Sequence, residues 1–459
     1  MTIDTDPLGG EAAGRSRLVL RQGAWAIADQ LLSSGTNFVM AVMVARLLAP
    51  KAYGSFVLAT SAWLTLLSVV RAAVIHPFVV EAAQQDEAIF RQAASEASGV
   101  VVAVGVLGAA LLAGVGVALG ARTESGQAFV ILGILTPFLV LQDFWRFTAF
   151  ARGRARTAVA NDGVWALVQT VCILLLIEAS TRSPAAAVAA WGTGAVAGAF
   201  LGMVQFRIRP SFGPSTWAWA RRIAPFAGWF GLSSGIYAGA NQVVAVVVAA
   251  SAGPAALGGL RALQTLLGPA QLVAVAGDSV ALPAASRQYG HHSFRGLTAF
   301  MTRYAGLLTA VLGVYGTVVF IYRTGIIRLV LGPAFLPYSN LMLPLALGLA
   351  ATACSYSGTV GLRSVFAGRA LAQAELLASV VQVVAVGVLV ERYGVLGAAW
   401  GSTIASAVHS ASMWGTYGFL TRESRGAHRR SRRRHRRRRR WYRPPASAQS
   451  TSSTGSRPQ

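Results

Sequence analysis

Cysteine, lysine and acidic residues are all scarce in this sequence. Two cysteines, Cys172 and Cys354, lie inside apolar runs, which excludes a disulfide or thiolate-metal framework and leaves packing as their role. Only 16 residues of 459 are Asp or Glu and 12% are charged, too few to clothe one soluble core of this size. Lys51 is the sole lysine; the other basic residues are arginines. Long polar connections are also missing. No loop gathers acidic residues suited to a metal, which argues against a membrane-bound glycosyltransferase or ligase with a loop-borne catalytic centre, and no cofactor is expected.

What is present is apolar. With 54% hydrophobic residues and a mean hydropathy of +0.54, the chain needs the bilayer as its solvent. The first apolar run is too long for a signal-peptide core and lacks a convincing cleavage site, so no cleaved leader is expected. The runs are continuous rather than alternating, which predicts helices and not a barrel. Spans are expected at roughly 24–48, 54–80, 98–120, 127–150, 158–178 and 186–206, then 224–250, 257–285, 302–322, 338–362, 371–391 and 394–420. The fold class is thus an all-α polytopic membrane protein of about twelve transmembrane helices in two six-helix bundles. Its divisions are a tail (1–23), a first bundle (24–206), a linker (207–223), a second bundle (224–420) and a disordered arginine-rich tail (421–459).

The bundles carry the marks of duplication. Gly35, Asn37, Pro50 and Gly54 recur 204 residues later as Gly239, Asn241, Pro254 and Gly258. Gly153-Arg154-Ala155 answers Gly368-Arg369-Ala370, and Ala189-Ala190-Trp191-Gly192 answers Ala398-Ala399-Trp400-Gly401. Six helices per half is even, so both halves enter from the same side. The internal repeat is therefore parallel, about an axis along the membrane normal, and the cleft between halves is the default site.

Arginines orient the chain. With a cytoplasmic N-terminus the inner connections hold thirteen basic residues and the outer ones eight, Arg46 and Arg261 among the latter, so both termini are expected inside. The tail adds fourteen arginines, RRSRRRHRRRRRWYRPP at its densest. Anionic lipid of the inner leaflet is the expected partner, at about 1 kcal/mol per basic residue, and nucleic acid is not. A solvated tail without a ligand is the alternative.

Charges inside the spans carry the chemistry. Asp29, Arg71, His76, Asp143, Arg146 and Asp278 would each be costly if bare in lipid, so they are expected to face one another or water. Arg71 lies about one turn from the position matching Asp278, which predicts a pair across the cleft; Asp143 and Arg146 share a helix face. Two roles remain open. The groups either fix packing as ion pairs, or line a cavity where Arg71 and Arg146 bind an anionic headgroup while Asp29, Asp143 and Asp278 set arginine geometry or carry a coupling cation. Asn37 and Asn241 either bond between helices or touch sugar hydroxyls. His76 and His409 read as packed neutral side chains. Gly194, Gly198 and Gly202 read as a close-packing ridge, and Pro137, Pro225, Pro269, Pro283 and Pro344 as kink points.

The stretches LLSSGTNFVMAVMVARLLAPKAYGSF, FAGRALAQAELLASVV and ERYGVLGAAWGS resemble the polysaccharide transporter branch of the multidrug/oligosaccharidyl-lipid/polysaccharide (MOP) exporter superfamily, which includes Wzx-type flippases. The resemblance covers roughly residues 18–420. It implies an alternating-access protein of a bacterial cytoplasmic membrane that carries undecaprenyl-diphosphate-linked glycan outward, with polysaccharide polymerases or glycosyltransferases as partners. It also implies a charged lumen, here Arg71, Arg146, Asp29, Asp143 and Asp278. The alternatives are a cation-coupled multidrug antiporter of the same superfamily, with one of those aspartates as its ion site, and a non-transporting scaffold for polysaccharide assembly.

Overall fold

The computed structural model describes residues 32–82, 85–365 and 367–441; Asp29 and the N-terminal tail lie outside them. The first half holds α1 (Leu32–Leu47), α2 (Pro50–Val70), a π-helical turn (Arg71–Ile75) and α3 (His76–Ala82). It continues with α4 (Glu87–Ala118), α5 (Glu124–Ala151), α6 (Ala155–Glu178) and α7 (Pro184–Phe206). The second half holds α8 (Pro214–Ala252), α9 (Pro254–Leu266), α10 (Gly268–Ile321), α11 (Arg323–Val330), a 3-10 stretch (Pro333–Leu341), α12 (Met342–Ser364) and α13 (Gly368–Trp441). Among the described residues, eight helices are long and apolar enough to cross a membrane. Their outward faces carry Leu107, Val117, Leu175 and Val314, all exposed, as lipid-facing surface should.

Local chemistry sets the helix starts. Proline stands at the first helical turn of α2, α7, α8 and α9, where its missing N–H costs nothing. Thr123 and Ser183 cap α5 and α7, accepting from the Gly126 and Ala186 amides at 3.0 and 3.4 Å. Two of the longest elements are hairpins. In α13 the reversal is Gly394, at φ 58° and ψ −143°, a backbone state that side chains disfavour. In α10 the Tyr304 hydroxyl donates to Asp278 at 3.0 Å, though a straight helix would hold residues 26 apart at about 39 Å. The chain must turn back between them.

Three expectations change. The span expected at 257–285 is broken, because α9 ends at Leu266 and α10 restarts at Gly268-Pro269. The span expected at 338–362 opens with a 3-10 stretch that holds Pro337. Where an irregular tail was expected from residue 421, the backbone stays helical as far as Trp441.

Packing closes one end of the molecule. Within the first half α5 packs on α4 and α7, and α6 on α7; within the second, α12 packs on α10 and α13. The Gly194, Gly198 and Gly202 ridge does lie in tight contact, since a Cβ at those positions would meet Trp165, Gln142 and Trp145. Between halves, α2 meets α9 backbone to backbone. A Cβ on Gly54 would collide with the Pro254 carbonyl, and one on Gly258 with the Pro50 carbonyl, so the duplicated Pro and Gly residues contact each other reciprocally. Tyr53 stands edge-on to the buried Phe335 at 5.8 Å, and Arg46 donates to the Leu329 carbonyl at 3.0 Å. Together these shut what we term the Pro50 face.

The other end, the Arg207 face, carries the linker between halves. Arg91 donates to the Phe206 and Arg207 carbonyls at 3.2 and 2.7 Å, and Ser95 to the Arg209 carbonyl at 2.7 Å. The Ser211 amide returns to the Ser95 carbonyl at 3.0 Å. Glu81 accepts from the Trp219 indole at 3.0 Å and from Arg222.

Gly54→Val and Gly258→Val should each force the α2–α9 contact apart, at about 1–3 kcal/mol of overpacking. Spin labels at positions 49 and 253 should report a longer, broader distance distribution in either variant; an unchanged distribution would mean that the contact does not hold this face shut.

Candidate substrate cavity

The closed Pro50 face caps a cavity of about 760 Å³ between the halves. The first half contributes Asn37 from α1, Arg71 at the end of α2, Gln142, Asp143 and Arg146 from α5, and Asp162 from α6. The second contributes Arg261 and Gln264 from α9, Gln271 from α10, Thr352 from α12, and Ser402 and Ser406 from α13. A polar lining at this depth in a membrane protein needs water or a ligand to solvate it.

Two ion pairs build the wall of the first half. Arg71 grips Asp143 with two parallel bonds, Nε to Oδ2 at 2.7 Å and Nη2 to Oδ1 at 2.5 Å, and its guanidinium lies 5.3 Å from the Phe147 ring centre. Arg71 opens the π-helical turn, whose extra residue re-aims the groups that follow; such turns recur at functional sites. Arg146 meets Asp162 at 3.2 Å. Gln142 holds the far side of Asp162 at 2.9 Å and donates to Asn161 at 3.1 Å, which in turn donates to the Gly198 carbonyl at 2.9 Å. The network ties α5, α6 and α7 together.

The expected pair of Arg71 with Asp278 does not form. Arg71 is satisfied inside its own half by Asp143, while Asp278 accepts from Tyr304 and does not line the main cavity. Asp143 and Arg146 do share a helix face toward the cavity, but each pairs with a different helix. Asn37 is exposed to the cavity; Asn241 accepts from Gln382 at 3.3 Å in a side chamber. His76 is exposed rather than packed and lies 5.5 Å from the Phe147 ring. His409 lines the side chamber, with its Nε2 buried and unbonded.

Arg261 is the largest correction. Counted above with the outer connections, it sits in the second turn of α9 and faces the cavity. Its Nη1 donates to Gln264 at 3.2 Å, and no carboxylate pairs with it among the described residues. By the duplication offset it matches Val57, which on a straight helix stands about 21 Å nearer the Pro50 face than Arg71 does. Asp162 and Gln142 also escape a sequence reading of charge in mid-span. The adjacent Asn161-Asp162 pair, two polar residues early in a largely apolar helix, is the signal that marks Asp162. Among the described residues no group of three or more His, Cys, Asp or Glu is placed to hold a metal.

No family profile matches the sequence, and no curated protein matches it. Solved structures do match its shape. An inward-facing conformation of a multidrug resistance MATE family transporter of the MOP superfamily aligns over 86% of this chain and 96% of that one, at TM-score 0.69 and 12% identity. The lipid II flippase MurJ, in an inward closed conformation, aligns over 84% and 86% at TM-score 0.68 and 13% identity. An outward-facing MATE family transporter gives TM-score 0.55 over 88% and 96%, at 14% identity. The chain is a polytopic membrane protein with the fold of MOP-superfamily transporters.

Arg71→Met should strand Asp143, whose side chain is 6% exposed; because Arg71 itself is 33% exposed, the cost is about 2 kcal/mol rather than that of a fully buried pair. Thermal unfolding in detergent should show a lowered midpoint for Arg71→Met, largely recovered in Arg71→Met/Asp143→Leu. An unaltered midpoint in the single variant would remove the pair from the stability of the first half.

Proposed function

We propose that this chain is an alternating-access transporter that exports lipid-linked oligosaccharide or polysaccharide precursors across a bacterial cytoplasmic membrane. In this reading twelve spans form two six-helix bundles related by a parallel repeat, both termini are cytoplasmic, and the Arg207 face is the inner one. The shut Pro50 face and the higher similarity to inward-facing than to outward-facing relatives support an inward-facing state.

One observation carries the choice of cargo: Arg261 stands deep in the cavity without a carboxylate partner among the described residues. A buried guanidinium left so is expensive unless an anion or water compensates it. The shallower arginines are already neutralised by Asp143 and Asp162. A diphosphate therefore meets balanced charge at the entrance and an unbalanced fork further in, so its favourable interaction grows along the path. Arginine suits that task because its donors match phosphate oxygens in pairs. In this scheme Asn37 and Asn241 serve the glycan, and Asp143 serves charge pairing or coupling.

A second reading has the better support from resemblance of fold. MATE transporters recur among the matching structures, so a cation-coupled multidrug antiporter is the rival, with Asp143 or Asp162 as its ion site. Among the described lining residues arginines outnumber acids, three to two, which argues against a cationic cargo.

The two readings separate in proteoliposomes. Outward movement of undecaprenyl-diphosphate glycan is expected, reduced at least tenfold by Arg261→Ala, with no uptake of ethidium driven by a sodium or proton gradient. Gradient-driven ethidium transport without glycan-lipid movement would establish the multidrug reading instead.

A further inference from the structure

Beside Arg261 the main cavity opens into a side chamber of about 270 Å³ within the second half. The chamber differs in chemistry from the cavity it joins. Its polar groups are amides and hydroxyls: Gln264 and Gln271 at the mouth, then Asn241, Gln382, Ser379 and Ser406. Arg261 and His409 are its titratable side chains, and none of its described lining residues is acidic. The first-half wall, by contrast, is ionic and aromatic, with the Arg71–Asp143 and Arg146–Asp162 pairs and the tryptophans Trp63, Trp165 and Trp191.

A chamber without a carboxylate is poorly suited to a cation, and one with a single arginine at its mouth has little to hold a second anion. Amides and hydroxyls offer both donors and acceptors with no net charge. Their match is a neutral ligand dense in hydroxyls. At about 30 Å³ per water the space equals roughly nine waters, room for one pyranose ring and not for a chain of them. The Gln382 amide donates to Asn241 at 3.3 Å inside the chamber, and among the described residues the buried Nε2 of His409 has no hydrogen-bond partner.

We infer that this chamber is the subsite for the first sugar of the cargo, the residue attached to the diphosphate. Arg261 lies at the junction of cavity and chamber, so phosphate on its guanidinium puts the reducing-end sugar at the chamber mouth. Later sugars extend into the main cavity. The chamber is thus the determinant of which first sugar is accepted, and chain length is read elsewhere. This inference rests on the glycan-lipid reading above.

The test uses the full-length protein in nanodiscs and two probes, undecaprenyl diphosphate bare and bearing a single N-acetylglucosamine. The wild type should bind the sugar-bearing probe about tenfold tighter. Gln382→Leu and the milder Ser379→Ala should shrink that ratio toward one, and bound bare probe reports that each variant is folded. A preference that survives in both variants, or its absence from the wild type while bare diphosphate binds, overturns the sugar subsite and leaves the transport reading standing. Failure of both probes to bind overturns the transport reading, and the subsite with it.

Discussion

The molecule is organised by a place where two helices touch without side chains between them. At Gly54 and Gly258, α2 and α9 approach until each glycine abuts the other's proline carbonyl. Dispersion and backbone dipoles hold such contacts well in lipid, where apolar side chains gain little by meeting each other rather than acyl tails. The contact lies near the start of both helices. The halves are joined there, and the space between them opens toward the other end.

Charge is distributed unevenly over that space. The first half balances its arginines with aspartates and braces them through Gln142 and Asn161, so its wall is rigid and nearly neutral. The second half places Arg261 among amides and hydroxyls. One wall is therefore built on strong internal ion pairs, while the other offers neutral donors and acceptors. An arrangement of this kind separates the jobs of stiffness and recognition, which a single ionic network would have to combine.

Much of the fold is legible in the sequence because the bilayer permits so few solutions: long apolar runs must be helices, and their starts are marked by Pro50, Pro184, Pro214 and Pro254. The duplicated Gly and Pro residues are legible too, though the sequence alone could not say that the copies press on each other. The site is harder. Asn37, Arg71, Asp143 and Arg146 line the cavity, since mid-span polarity must face something polar. Their partners are not readable, because nothing in the spacing tells Arg71 to pair with Asp143 on α5 rather than with Asp278 across the cleft. Arg261 was hidden by its nearness to a helix start. Seven residues after Pro254 it looks like a connection, and only the depth of α9 below the shut face makes it part of the lumen.

The strap between the halves has a mechanical meaning. Arg91 and Ser95 clasp its backbone from Phe206 to Ser211, and Glu81 anchors Trp219 and Arg222 at the start of α8. The chain up to Arg222 is thus tied to the first half, although it follows the last helix of that half in sequence. The structural seam between the halves therefore falls after Arg222, within α8, and not at the loop where the chain leaves the first half.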